Sequence, residues 1–208
     1  MDQEFFAQID WRLNTVPPTG NSQSPLWWRQ HEPLCEWDFL SLGRRGARNG
    51  SLYNPADVHF ANRFFNANCG PAAFAAVTRR SICSVMRCFP KFPRKPWTTR
   101  ADMESALKKM STEWSPVESD LPRRGLALIQ LIGPWNRLRN PCAALTRTHW
   151  VGVYDDYLYD VNWDGWLPRF IWQQLIYPSL EERYRGACGW RPLAGFEFLT
   201  ECIDRNVW

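Results

Sequence analysis

Asn68-Cys69-Gly70-Pro71-Ala72-Ala73-Phe74-Ala75-Ala76-Val77 is the stretch that orients the rest of the chain. Pro71 suits the first turn of a helix, where its missing N–H would lack a partner in any case. Apolar residues continue at Ile82, Val85 and Met86 until Pro90, which predicts a helix from Gly70 to about Arg87. Cys69 then stands at a helix N-terminus, where free N–H groups and the positive end of the helix dipole favour a thiolate. A thiol attacks well only in that form and with a base nearby. Gly70 would let a substrate backbone approach closely. The plainer alternative is a buried cysteine beside a tight turn.

His149 is the candidate base. Thr148-His149-Trp150-Val151-Gly152-Val153-Tyr154 and Tyr157-Leu158-Tyr159-Asp160-Val161-Asn162 flank Asp155-Asp156 and read as a β-hairpin. With a two-residue turn, Tyr154 faces Tyr157. Carrying that pairing outward sets His149 opposite Asn162, with Asp160 diagonal on the same face. A three-residue turn would send both partners to the other face. An imidazole that moves protons needs a partner at its second nitrogen. Asn162 is better placed by the pairing, and Asp160 brings charge; both stay open. Trp150, Trp163 and Trp166 flank the base, where they would line a substrate groove or pack the hairpin.

Together these residues resemble the papain-like cysteine peptidases. The Cys-Gly-Pro-Ala-Ala run is similar to the bacteriocin-processing type. The histidine hairpin also resembles that of Josephin-type deubiquitinases. The order Cys69, His149, then Asp160 or Asn162 is the papain-like order. The resemblance covers about residues 62–164. It implies an α+β papain-like fold, with the nucleophile helix packed on an antiparallel sheet, and an acyl-enzyme formed on Cys69. One departure is visible: such enzymes place a Gln five or six residues before the nucleophile as an oxyanion donor, and here those positions hold Phe64 and Arg63. Asn62 or Asn66 would have to substitute, beside the Cys69 backbone N–H.

Outside this span the signals are sparser. Residues 1–58 carry breaker-rich stretches and aromatics without a period, and read as an irregular arm laid over a core or over another subunit. The remainder, 59–208, reads as the hydrolase domain. Thr98 or Thr99 would cap a second helix to about Met110. Leu126–Ile132 is a strand or a buried helical turn, a short helix runs from Phe170 to Ile176, and a last strand from Trp190 to Leu199.

Seven cysteines without a Cys-x-x-Cys pair suggest free thiols in a reducing compartment, with no zinc site and no cofactor. No signal peptide and no membrane-spanning apolar run is read, so the expected location is cytoplasmic, or a virion for a viral protein. A net charge of +4, spread without a basic run, gives no ground for nucleic-acid binding. His31 and His59 read as surface or turn residues. Arg63, Arg79 and Arg80 read as solvated, with an acidic substrate group as the alternative.

The expected function is a cysteine peptidase-like hydrolase acting on an amide bond of a protein or peptide. The rival is a catalytically inactive papain-like fold, for example a virion component whose arm binds neighbouring subunits.

Overall fold

The computed structural model describes residues 52–58, 60–61, 69–92, 94, 97–137, 147–163, 165–173 and 186–199. Most of the 1–58 arm, Asn62, Asn66, Arg63, His31 and His59 lie outside these residues.

Helix α1 spans Cys69–Val77, and its first eight residues are all buried. A helix apolar on every side must be enclosed, and this one is. It stops well short of Arg87. Thr78 turns its hydroxyl back onto the Phe74 carbonyl (2.6 Å), and Arg79 adopts φ 56°. A residue in the left-handed region ends a helix, so the apolar pattern that suggested one long element in fact spans two. Helix α2 (Ile82–Val85) restarts the chain behind the Ser81 cap. Its first amides, on Ile82 and Cys83, also donate to the Asp57 carboxylate, each at 2.8 Å. Helix α3 (Arg100–Lys109) starts at Thr99 with a reciprocal Thr99–Asp102 capping box, and Lys108 and Lys109 complement the dipole at its end.

Among the described residues six strands form one antiparallel sheet: β1 (Trp114–Val117), β2 (Arg124–Ile132), β3 (Thr148–Tyr154), β4 (Tyr157–Asp160), β5 (Gly165–Pro168) and β6 (Gly189–Phe198). Their order is β1-β6-β2-β3-β4-β5. Leu126–Ile132 is therefore strand. Apart from Gln130 it is apolar, because both of its faces are covered, which erases the alternation that would have identified it. On one face α1 packs with Leu126, Leu128, Trp150, Tyr159 and Phe196. On the other, Ala127, Ile129, Val151, Val153, Leu158 and Trp172 form a second core. A short helix, α4 (Arg169–Ile171), follows β5. The architecture is α+β, helices on an antiparallel sheet.

The β3–β4 hairpin has the two-residue turn: Tyr154 pairs with Tyr157, Val153 with Leu158 and Gly152 with Tyr159. Asp155 takes φ 50°, which two-residue hairpin turns require at their first central position. Arg123 and Arg124 hold its carboxylate at 2.8 and 3.2 Å. Glycine matters at Gly152, where a methyl group would come within 2.8 Å of Val77 Cγ1 and 3.0 Å of Tyr159 Cβ. Its absence lets α1 lie directly on β3. No helix among the described residues is long and apolar enough to cross a membrane.

Candidate active site

The site lies where α1 and β3 both begin. Cys69 opens the helix and His149 is the second residue of the strand. Since Gly152 lies against Val77 at the far end of α1, helix and strand run alongside each other, and Cys69 comes near enough to His149 to act on its ionisation. His149 pairs across the sheet with Ile129, a member of the second core, so the ring projects toward the face opposite α1. Only at the margin of the sheet can a ring on one face meet a thiol from the other, and His149 occupies that margin.

Asp160 holds the ring. Its Oδ1 is 2.9 Å from His149 Nε2, and the aspartate is only 2% exposed. The same oxygen accepts the Asn162 backbone N–H at 2.9 Å, and Oδ2 accepts the indole N–H of Trp172 at 2.8 Å. Burial is the largest influence on each partner and disfavours charge on both. Their mutual attraction and hydrogen bonding outweigh it, with the donors from Trp172 and Asn162 adding for the carboxylate. The Asp160 pKa is lowered and the His149 pKa is raised well above the ordinary histidine value. The pair is thus ionised at neutral pH.

Cys69 also raises the His149 pKa, through charge and hydrogen bonding. Nε2 is committed to Asp160, so the nitrogen left for the thiol is Nδ1. That atom is buried and makes no hydrogen bond of standard geometry.

Asn162 is not the cross-strand partner that the extended pairing predicts. The β3–β4 ladder ends at Gly152–Tyr159, and Val161–Trp163 turn as a short 3-10 helix. That turn folds the Asn162 amide back to 3.4 Å from Nε2, with its Oδ1 buried and unpartnered. Nε2 already carries the proton given to Asp160. The amide can therefore support the ring only with its oxygen turned toward it. Of the two candidates, Asp160 makes the direct bond and Asn162 lies behind it.

Two residues expected to meet substrate are placed otherwise. Trp150 is 1% exposed, stacks on Phe196 and donates its indole N–H to the Thr98 carbonyl at 2.8 Å, so it belongs to the core. Gly70 is covered by Thr98, whose side chain occupies the space a methyl group would need. Its missing side chain serves helix packing rather than an approaching substrate. Gly70→Ala should cost about 1–3 kcal/mol in denaturant unfolding. Thr98→Gly in the same chain should return part of that loss; no recovery would argue against this contact.

Trp163 lies in the 3-10 turn. Arg79 and Arg80 sit beyond the far end of α1, about 15 Å from Cys69 at 1.5 Å per residue, and do not line the site. Trp172 belongs to the site without any signal in the sequence around it. A buried indole needs an acceptor, but in a chain with 13 tryptophans nothing local marks which one finds it at Asp160.

Among the described residues no group of three or more His, Cys, Asp or Glu side chains could hold a metal ion. Cys69, Cys83, Cys88 and Cys188 are all free thiols. Comparison of the chain with protein-family models, with curated proteins and with solved structures gives no match.

Proposed function

We propose that the chain is a cysteine hydrolase of papain-like architecture that cleaves an amide bond of a protein or peptide through Cys69, His149 and Asp160. The convergence of a helix-terminal thiol with an imidazole anchored from behind by a buried carboxylate carries this reading. In the reaction, Cys69 Sγ attacks the carbonyl carbon, and the Cys69 backbone N–H supports the developing oxyanion. His149 Nδ1 gives its proton to the leaving nitrogen as the C–N bond breaks, leaving a thioester on Cys69. Water then adds to the thioester while Nδ1 takes up its proton. The C–S bond breaks, the acid leaves, and thiolate and imidazolium are restored. Asp160 keeps Nε2–H fixed throughout and stays ionised. Asn62 and Asn66, proposed as second oxyanion donors, lie outside the described residues.

One observation favours the rival, a retired site kept for its fold. Cys69 is 5% exposed and His149 7%, so the route to the sulfur is narrow.

Alkylation separates the two readings. Iodoacetamide at pH 7, with each cysteine followed by mass spectrometry, should modify Cys69 about tenfold or more faster than the exposed Cys188, since an ordinary thiol is only a few per cent thiolate at that pH. Cys83 is also exposed but should lag, because its hydrogen bond to the Asp57 carboxylate pushes its pKa up. His149→Ala should remove the advantage of Cys69. A Cys69 that reacts as slowly as the buried Cys88 decides for the retired site.

A further inference from the structure

In the proposed reaction Asp160 serves His149 through one oxygen only. The other is equally buried, and what it binds decides whether the carboxylate can turn. Oδ1 takes two donors, His149 Nε2 and the Asn162 N–H, both at 2.9 Å. Oδ2 takes the Trp172 indole N–H at 2.8 Å. Trp172 is 1% exposed and is braced edge-on by Trp190, with ring centroids 5.3 Å apart at 84°. It sits in the second core with Ile129, the cross-strand partner of His149. The indole is thus a fixed donor on the same face as the ring whose partner it holds.

We propose that Trp172 is a positioning residue of the site, whose N–H engages Oδ2 of Asp160 so that Oδ1 stays aimed at His149 Nε2. This assignment rests on the hydrolase reading for its use but not for its geometry. A buried carboxylate with an empty oxygen is under-satisfied and free to rotate, exchanging the oxygen that the imidazole needs. The groups facing Asp160 are His149 from β3, Trp172 beyond α4 and Asn162 from the 3-10 turn, and Cys69 faces the far side of the ring from α1. His149 is the charged one among those facing Asp160, so loss of the indole donor is not offset by another cation.

Trp172→Phe keeps an aromatic ring in the core and removes the donor. Titration of the Asp160 carboxylate by NMR should show its pKa rising by about one pH unit, the equivalent of part of one charge-assisted hydrogen bond. Trp190→Phe perturbs the same aromatic contact without touching Asp160 and should leave that pKa in place. A folded Trp172→Phe with an unchanged Asp160 titration overturns the assignment, as does an equal shift in Trp190→Phe. Should Trp172→Phe fail to fold, the unaltered chain tests the same contact. Its Trp172 indole N–H should exchange slowly with solvent and shift as the His149–Asp160 pair titrates; a fast-exchanging, pH-insensitive resonance overturns the assignment. Slow alkylation of Cys69 in the unaltered chain together with a raised Asp160 pKa in Trp172→Phe would refute the hydrolase and leave Trp172 in its role.

Discussion

Asp160→Ala should lower the unfolding free energy by about 3–5 kcal/mol, because it strands three buried donors, the imidazole N–H among them, without their acceptor. The loss should depend on pH in a defined sense. His149 has a raised folded pKa, so its contribution is complete below the ordinary histidine pKa and fades as pH rises through the raised value. Asp160 has a lowered folded pKa. Its contribution is complete above the ordinary aspartate pKa and fades as pH falls through the lowered value. Both are in full force between about pH 4 and 6.5. The gap between parent and variant in urea unfolding should be widest there and shrink on the alkaline side. A gap of constant size from pH 5 to pH 9 would mean that the pair is not ionised as described.

The second large effect is expected at Gly152→Val. The new side chain meets Val77 Cγ1 and Tyr159 Cβ, the latter fixed in the neighbouring strand. Overpacking of this kind costs about 3 kcal/mol or slightly less. Relief comes most readily by lifting α1 off β3, and α1 carries Cys69 at its start. The variant should therefore lose both stability and the fast alkylation expected of Cys69 on the hydrolase proposal, with Cys188 unaffected. Lost stability with Cys69 labelling unchanged would show that the helix does not set the position of the thiol.

What can be read from the chain is whatever local chemistry dictates. The Asp155-Asp156 turn fixes the hairpin register, and with it the placement of Asp160 behind His149. Thr99 with Asp102 marks the start of α3. Sequence and structure part where tertiary contacts decide. The break in α1 depends on the left-handed Arg79 and on Asp57, which reaches Ile82 from elsewhere in the chain. Strands β1 and β5 leave little trace in the sequence because both are four residues long and contain a proline, Pro116 or Pro168. Such strands survive at sheet margins, where both lie. Asn162 reaches the ring by a turn that no pairing rule anticipates. Trp150 and Gly70 resemble cleft residues only until Thr98 and Phe196 are seen to cover them.

The place of β6 has a bearing on how the chain is made. It lies between β1 and β2, and among the described residues β1 pairs with it alone, Trp114 against Phe198. On the ribosome, β2 to β5 can assemble as a meander while β1 waits for a neighbour synthesised long after it. Until Gly189–Phe198 emerges, the inner edge of β2 and both edges of β1 expose unpaired backbone to other nascent chains, so the chain is most prone to aggregate in the interval between the synthesis of β2 and that of β6.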